Sequence, residues 1–163
     1  MSKQKTEQEA YLQLATLCAQ AEHCEAEMRD KLKRWEIDAE AQDRIISRLI
    51  KERYIDDERF ARAFVKDKVR YNKWGRRKVQ QALWMKRISD DIQQTVLDEI
   101  DEKEYIDVLK PLLKQKQRSI KASSEYELKQ KLVRFAIGRG FDFGIIRKCM
   151  DVSDDMDVSD ETD

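Results

Sequence analysis

One apolar spacing occurs three times along the chain, and it restricts the possible folds more than any other feature of the sequence. Each copy reads apolar-x3-apolar-x12-apolar-x3-apolar, and successive copies are offset by 51 and 49 residues. Two apolar residues four positions apart lie on one face of a helix, so each copy predicts two helices in a fixed register. The copies are Met28, Leu32, Ile45 and Leu49, then Val79, Leu83, Val96 and Ile100, then Leu128, Leu132, Ile145 and Cys149.

A third apolar face precedes each pair of helices. Three helices in about fifty residues, found three times in succession, are typical of a tandem helical repeat protein. The preceding faces are formed by Tyr11, Leu14 and Cys18, by Phe60, Phe64 and Val65, and by Leu109, Leu112 and Leu113. We therefore predict an all-α fold of three tandem three-helix repeats, and stacked repeats of this kind commonly form an elongated, curved array.

The predicted organisation has an extension, three repeats and a tail. The extension covers residues 1–9, and the three-helix repeats cover residues 10–56, 57–106 and 107–150. Residues 151–163 are rich in acids and poor in apolar residues, so we expect an acidic, disordered tail there.

Composition and helix-start residues support this organisation. The chain has only four Gly and one Pro, whereas a sheet-rich domain needs turn residues at many strand ends. Asp38, Ser89 and Asp142 are placed to cap the third helix of each repeat. Asp142 follows its repeat leucine by ten residues instead of six, so we expect the second helix of that repeat to be about one turn longer. Pro111 is expected in the first turn of a helix that starts near Asp107.

Several functional classes are not expected for this sequence. No apolar run is long enough for a membrane span, and the first residues lack the apolar stretch of a signal peptide. The three cysteines are an odd number without paired spacing, so we expect a protein of the reducing cytoplasm. A single histidine, His23, and the lack of a Gly-rich segment argue against an enzyme and against a cofactor. Cys18, Cys24 and Cys149 could meet His23 at a zinc ion, but buried free cysteines are common, and we expect no metal.

The net charge of zero conceals blocks of opposite sign. Residues 65–90 carry 9 basic and 2 acidic side chains, residues 91–107 carry 1 and 7, and residues 108–150 carry 11 and 3. Residues 151–163 add seven acids and no base. The pattern favours either a basic binding surface beside an anionic segment or a solvated helical surface with a solubilising tail. In the first case the tail could fold back on the basic body and compete with anionic partners.

The richest candidate binding surface lies in the second repeat. Arg76, Arg77 and Lys78 follow Gly75 in the first turn of a predicted helix, where three cations oppose the helix dipole. Stability alone does not favour that arrangement, whereas a site for phosphates or acidic protein does, because a helix N-terminus also attracts anions. The whole surface comprises Lys66, Lys68, Arg70, Lys73, Arg76, Arg77, Lys78, Lys86 and Arg87. A second basic patch comprises Lys114, Lys116, Arg118 and Lys121.

Aromatic residues are interleaved with the cations of the second repeat. Trp74, beside Gly75, is the aromatic side chain that we expect to be exposed on this surface. We expect Tyr71 and Trp84 to pack against other side chains rather than to stack on bases, and Trp35 to belong to the core.

The junction between the first two repeats reads Tyr54-Ile-Asp-Asp-Glu-Arg-Phe-Ala61. Asp56 is placed to cap a helix, Asp57 lies at the N-terminus of that helix, and Phe60 forms an i, i+4 pair with Phe64. The string closely resembles the Tyr-Leu-Asp-Asp-Glu-Arg-Phe-Ala motif of RecX proteins. Arg87 departs from that family, which usually has glycine at this turn. The other matching strings are Trp74-Gly75-Arg76-Arg77-Lys78-Val79, Leu83 with Lys86-Arg-Ile88-Ser89-Asp90, and Arg139-Gly140-Phe141.

RecX proteins are cytoplasmic bacterial regulators built of tandem three-helix repeats. The resemblance implies a protein, expected to be a monomer, that lodges in the helical groove of the RecA–DNA filament. There it would inhibit strand exchange, ATP hydrolysis and co-protease activity, and so modulate recombination, DNA repair and the SOS response. Single- or double-stranded DNA would be a weaker or supporting partner. The basic blocks by themselves also permit a stand-alone helical nucleic-acid-binding protein, and a generic helical adaptor is a third, weaker hypothesis.

Overall fold

The computed structural model describes residues 4–151, and every regular element in that range is an α-helix. The helices follow one another in three groups of three, which confirms the predicted all-α fold class. The described helices are α1 (Glu7–Gln20), α2 (Glu25–Arg34), α3 (Ala39–Lys51), α4 (Asp57–Arg70), α5 (Arg76–Met85), α6 (Asp90–Asp98), α7 (Glu102–Ser119), α8 (Glu125–Gly138) and α9 (Phe143–Cys149).

Short polar side chains start the third helices, as the sequence predicts. Asp38 Oδ1 accepts a hydrogen bond from Ala41 N–H at 2.8 Å, and Ser89 Oγ accepts one from Ile92 N–H at 3.4 Å. Each bond satisfies an N–H group that the first helical turn cannot pair internally. Asp142 holds the equivalent position before α9, but within the described chain its carboxylate makes no capping hydrogen bond.

Several helices are followed, two or three residues after their last residue, by a residue that has a side chain and a left-handed backbone. Within residues 4–151 these are Glu36, Arg53, Lys73 and Arg87, with φ values of 59°, 64°, 59° and 57°. Such a conformation costs roughly 1–2 kcal/mol for a residue with a Cβ. Arg87, which stands where the sequence resemblance has glycine, therefore adopts a conformation that glycine adopts without this cost.

One compact unit comprises the residues up to Phe64 together with Leu83–Gln94. In this unit α1 and α2 both pack against α3. Met28, Leu32 and Leu49, three of the four positions in the first copy of the apolar spacing, are completely buried. The spacing therefore identifies the side chains that hold this unit together.

A second compact unit comprises Val65–Ala82 and the residues from Thr95 onward. In this unit α7 packs against α8 and α9. The third copy of the spacing is less completely buried than the first, because Leu132 and Ile145 are buried while Leu128 and Cys149 are partly exposed. The most deeply buried side chains of the unit include Val65, Val79, Leu97, Leu109, Phe141 and Ile146.

The second helix of the third group is longer than its counterparts. α8 has 14 residues, whereas α2 and α5 have 10 residues each. The difference is about one helical turn, as predicted from the position of Asp142.

The start of α7 differs from the prediction. α7 begins at Glu102, five residues before Asp107, and continues for 18 residues. Pro111 therefore lies inside the helix, where it leaves the carbonyl of Asp107 without the N–H that normally bonds to it. The prediction was wrong because it treated the proline as a marker of a first helical turn. The boundary proposed between residues 106 and 107 falls within this helix.

The two ends of the chain are described only in part. α1 begins at Glu7, inside the predicted extension, and residues 1–3 lie outside the described range. The predicted acidic tail also lies outside the described residues, except for Asp151. Between residues 4 and 151, no helix combines the length and the apolar character that a membrane span needs.

Candidate partner-binding surface

The start of α5 carries the run Arg76-Arg77-Lys78 in the second unit. Two backbone amides there are already paired, since Gly75 N–H donates to the carbonyl of Arg139 at 2.8 Å and Arg77 N–H donates to that of Gly140 at 3.0 Å. A phosphate cannot use these two N–H groups in the manner of a free helix N-terminus. These two amides are therefore not available to an anion, and the side-chain charges are the feature here that favours an anionic partner.

Two glycines allow the α8–α9 turn to lie against the start of α5. A Cβ added at Gly75 would lie 2.4 Å from the backbone of Gly140, and a Cβ added at Gly140 would lie 2.5 Å from Lys78 Cβ. Gly140 also has φ +95°, a conformation that residues with a Cβ rarely adopt. Phe141, the next residue, is buried. The Trp-Gly-Arg-Arg-Lys and Arg-Gly-Phe strings therefore pack against each other, and their glycines are structural.

Acidic residues neutralise part of the basic surface. Arg70 Nε lies 2.8 Å from Glu104 Oε1, and Arg76 Nη2 lies 2.8 Å from Asp98 Oδ1. Both acids belong to residues 91–107, so the acidic block serves in part to pair the basic block before it. Exposed ion pairs of this kind contribute about 0–1 kcal/mol, so a phosphate or an acidic side chain of a partner could replace them at little cost.

The other cations of this segment differ in how available they are. Lys73 Nζ donates to the last carbonyl of α4 at 2.7 Å. Lys68 Nζ and Lys78 Nζ lie 5.3 Å and 4.7 Å from the centre of the Trp74 ring, within reach of a cation–π interaction. Arg77 is exposed, and its guanidinium has no partner among residues 4–151. Arg77 is therefore the cation at the start of α5 that a partner can reach most directly.

The exposure of the aromatic residues is the reverse of the prediction. Trp74 is half-buried, whereas Tyr71 is 80% exposed and Trp84 is 68% exposed. Trp84 follows the buried Leu83 by one residue, so its side chain points about 100° away from the buried face of α5. Trp35 packs against the core of the first unit, as predicted.

Lys86 and Arg87 lie in the first unit and contact acidic residues of α2. Lys86 Nζ lies 3.3 Å from Glu27 Oε2, and Arg87 Nη2 lies 2.9 Å from Asp30 Oδ1. Burial raises the pKa of Glu27, but the N–H of Cys24 and the Lys86 ammonium outweigh burial and hold the pKa below its usual value. The Cys24 thiol also donates to the carbonyl of Lys86 at 3.9 Å. This turn therefore docks on the start of α2 as the α8–α9 turn docks on the start of α5.

The motif at the junction of the first two repeats is also structural. Asp56 Oδ1 accepts a hydrogen bond at 3.0 Å from the N–H three residues later, which confirms the predicted cap. Asp57 Oδ1 accepts one from Glu25 N–H at 2.8 Å, so this carboxylate caps α2 from a different helix. Phe60 and Phe64 stack with their ring centres 5.8 Å apart. The motif therefore ties α4 to α2 within the first unit.

The second predicted patch lies on the C-terminal half of α7 and in the loop after it. Lys114 and Arg118 are exposed on the helix, Lys121 is exposed in the loop, and Lys116 Nζ lies 5.2 Å from the centre of an aromatic ring of α8. Sequence reasoning missed Lys110, which is exposed one turn before Lys114. Its i, i+4 spacing to Lys114 is the signal that identifies it, because residues four apart lie on one face of a helix.

The cysteines are buried to different degrees. Burial raises the pKa of the Cys18, Cys24 and Cys149 thiols, and it raises that of Cys24 to about 12. A thiol with a raised pKa is a poor nucleophile and a poor metal ligand. Within the part of the chain that the structure describes, no three His, Cys, Asp or Glu side chains come together as a metal site requires.

Three family models match successive parts of the chain. They describe the first, second and third three-helix domains of RecX, and they match residues 10–49, 56–97 and 102–150. A regulatory protein RecX from Clostridium perfringens is 34% identical over 121 residues, which are 73% of this chain and 56% of that protein. One from Bacillus cytotoxicus is 27% identical over 144 residues, which are 88% of this chain and 53% of that protein. The chain thus spans about half the length of these curated relatives.

Solved structures give the same fold. The crystal structure of RecX from Lactobacillus salivarius matches with a TM-score of 0.81 over 88% of this chain and 93% of that one. The sequences are 20% identical, so this likeness concerns the fold alone.

Proposed function

Because the chain belongs to the RecX family, we propose that it is a cytoplasmic regulator that binds the RecA–DNA filament. In this proposal it acts in the filament groove and inhibits strand exchange, ATP hydrolysis and co-protease activity. Recombination, DNA repair and the SOS response would be modulated as a result. The protein itself would perform no chemistry, and its effect would come from occupying a surface that RecA and DNA need.

The observation that carries this proposal is the set of exposed cations in the second unit. Arg77 on α5 and Lys110, Lys114 and Arg118 on α7 are exposed, and their side chains have no ion-pair partner among residues 4–151. Arg70 and Arg76 form surface ion pairs, which a partner's acids or phosphates can replace. Charge complementarity of this kind speeds association with an anionic partner and fixes its orientation.

A stand-alone nucleic-acid-binding protein is the second candidate, and the exposed aromatic residues favour it. Tyr71 is 80% exposed and Trp84 is 68% exposed, so both rings are accessible to bases. Stacking on such rings contributes about 1–3 kcal/mol per base and tolerates any sequence. The basic residues would add a salt-dependent term through counterion release.

The decisive experiment compares the affinity for a RecA-coated filament with the affinity for bare single-stranded DNA. At an ionic strength of about 0.15 M, exposed charges are screened beyond about 8 Å, and non-specific DNA binding weakens. We expect binding to the filament to persist there and to be accompanied by inhibition of ATP hydrolysis and strand exchange. Equal affinity for the two, without inhibition, would favour the nucleic-acid-binding protein.

A charge reversal at Arg77 tests the surface. Arg77→Glu should weaken binding to the filament about tenfold, which is ~1.4 kcal/mol, because it places a like charge opposite an anionic partner. Lys33→Glu changes an exposed position of α2 and is a matched control that should leave binding to the filament unchanged. Circular dichroism should show the same helix content in both variants. Full inhibition by a folded Arg77→Glu protein would remove the start of α5 from the binding surface.

A further inference from the structure

The end of α9 lies against α7. The Cys149 thiol donates to the carbonyl of Ile106 at 3.9 Å, and α9 ends where Met150 N–H bonds to the carbonyl of Ile146 at 3.0 Å. The ammonium of Lys110 is close enough to Cys149 to lower its thiol pKa, against the larger opposite effect of burial. The chain therefore leaves α9 beside the first half of α7, and Asp151 is the next residue.

A row of cations begins at the same place. Lys110, Lys114 and Arg118 are spaced four residues apart and exposed, and their side chains have no ion-pair partner among residues 4–151. Like charges at this spacing destabilise a helix by about 0.2–0.5 kcal/mol per pair. The helix dipole favours cations within the last turn, which accounts for Arg118, but Lys110 lies nine residues before the end of α7 at Ser119. The row is thus a local excess of positive charge that the described residues leave uncompensated.

The segment that follows α9 has the complementary charge. Residues 151–163 contain seven acids and no base. From Lys110 to Arg118 the row extends about 12 Å along the helix, whereas thirteen extended residues reach about 40 Å. A short covalent link also gives the segment an effective concentration in the millimolar range, so weak ion pairs suffice for binding.

We propose that residues 151–163 bind in cis to the cation row of α7, formed by Lys110, Lys114 and Arg118, and compete there with other polyanions. The contact neutralises the repulsion within the row and covers part of the positive surface of the second unit. A partner must then displace the acidic segment before it can use these three cations. Weakly bound, non-specific polyanions are excluded first, because they gain least from the exchange. This inference concerns the isolated chain and does not require RecA.

Nuclear magnetic resonance tests the contact directly. The variant Asp154→Asn, Asp155→Asn, Asp157→Asn, Asp160→Asn, Glu161→Gln, Asp163→Asn keeps the length of the segment and removes six charges. At about 20 mM salt, where exposed charges act over roughly 20–30 Å, we expect its backbone amide shifts to differ from those of the wild type along residues 110–118. At about 0.5 M salt the two spectra should coincide in α7. Amides of α7 that are identical at low salt would overturn the proposal.

Two matched variants establish that the row is the binding site. Lys110→Gln, Lys114→Gln, Arg118→Gln should abolish the shift differences that the acidic segment causes. Lys33→Gln, Arg34→Gln, Lys51→Gln removes the same number of exposed cations from α2 and α3 of the first unit and should leave those differences unchanged. Differences that survive loss of the row, or that disappear with the control set, would overturn the proposal.

Competition is measured with a short single-stranded oligonucleotide and without RecA. Neutralising the acidic segment should tighten binding about fivefold at ~50 mM salt and by less than about twofold at ~0.5 M salt. In the variant that lacks the cation row of α7, neutralising the acidic segment should change the affinity for the oligonucleotide less than twofold at either salt concentration. This comparison separates displacement of the acidic segment from a general effect of net charge. An equal gain in both backgrounds would refute the competition. Inhibition of RecA is assayed separately, so failure of the proposed function would leave this result intact.

Discussion

Substitution of Gly75 by alanine tests the contact between the start of α5 and the α8–α9 turn. The new Cβ would lie 2.4 Å from the carbonyl carbon and oxygen of Gly140 and from the N–H nitrogen of Phe141. These are backbone atoms, so no side-chain rotation can relieve the overlap and the turn must move away. That movement lengthens or breaks the hydrogen bonds that Gly75 and Arg77 donate to it, at 2.8 Å and 3.0 Å.

The cost can be estimated from these contacts. Overpacking costs about 1–3 kcal/mol, and each weakened hydrogen bond costs up to about 1 kcal/mol. We expect Gly75→Ala to lower the free energy of unfolding by about 3 kcal/mol, which lowers the Tm by about 6–12 °C in a protein of this size. Thermal and urea denaturation followed by circular dichroism measure both quantities.

Gly138→Ala is the matched control for this substitution. A Cβ at Gly138, the last residue of α8, meets no atom within 4 Å. Alanine favours a helix by up to about 1 kcal/mol over glycine, so this variant should be as stable as the wild type or slightly more stable. A Gly75→Ala protein that unfolds within about 2 °C of the wild type would refute the reasoning, because the expected loss is at least three times larger.

Three further predictions follow from the first unit. Asp57→Ala should cost about 1 kcal/mol by removing the cap on Glu25, whereas Asp57→Asn keeps an acceptor oxygen and should cost less; urea denaturation measures both. The pKa of Glu27 is lowered from 4.5, so its carboxylate stabilises the fold above about pH 4.5. This stabilisation is lost as the pH falls through the pKa of the folded state. The difference in the free energy of unfolding between wild type and Glu27→Gln should therefore shrink below pH 4.5. Cys24, with a pKa raised to about 12, should resist alkylation by iodoacetamide at about pH 8 in the folded protein and react after unfolding, as mass spectrometry can show.

The fold class could be predicted because the same apolar spacing occurs three times in the sequence. Met28, Leu32 and Leu49 are all completely buried, as their spacing requires. Asp38 and Ser89 cap the helices that they precede. Such features depend on residues within one or two helical turns of each other, so local rules suffice to identify them.

The candidate surface could be predicted only in part, because its charges depend on distant residues. Nothing local to Arg76 indicates that Asp98, 22 residues later, lies 2.8 Å from its guanidinium. Likewise, Lys86 and Glu27 are separated by 59 residues along the chain and by 3.3 Å in space. Counting cations along a sequence therefore overestimates the positive charge that a partner meets.

Errors in local geometry had a different origin. The start of α7 was misplaced because sequence rules place a proline in the first turn of a helix. In the structure, Pro111 is instead tolerated on the exposed side of the helix interior. The exposure of Trp84 was underestimated because a large aromatic residue was assumed to be buried. In α5 the register set by Val79 and Leu83 decides the side on which Trp84 lies, and residue size does not.

The helices of the middle group each contribute residues to both compact units, since the division falls after Phe64, Ala82 and Gln94. The end of α5 and the turn after it supply the partners of Glu27 and Asp30, while the start of α5 supplies the donors for the α8–α9 turn. Cutting the chain at the borders of its three three-helix segments would therefore not yield three autonomous pieces. A fragment that stops before α4 would lose the carboxylate of Asp57 that caps α2 as well as the cations that face its acids. The three segments are thus separate in sequence but depend on one another in folding. Truncated forms of such a chain should therefore end in a loop and keep two neighbouring segments together.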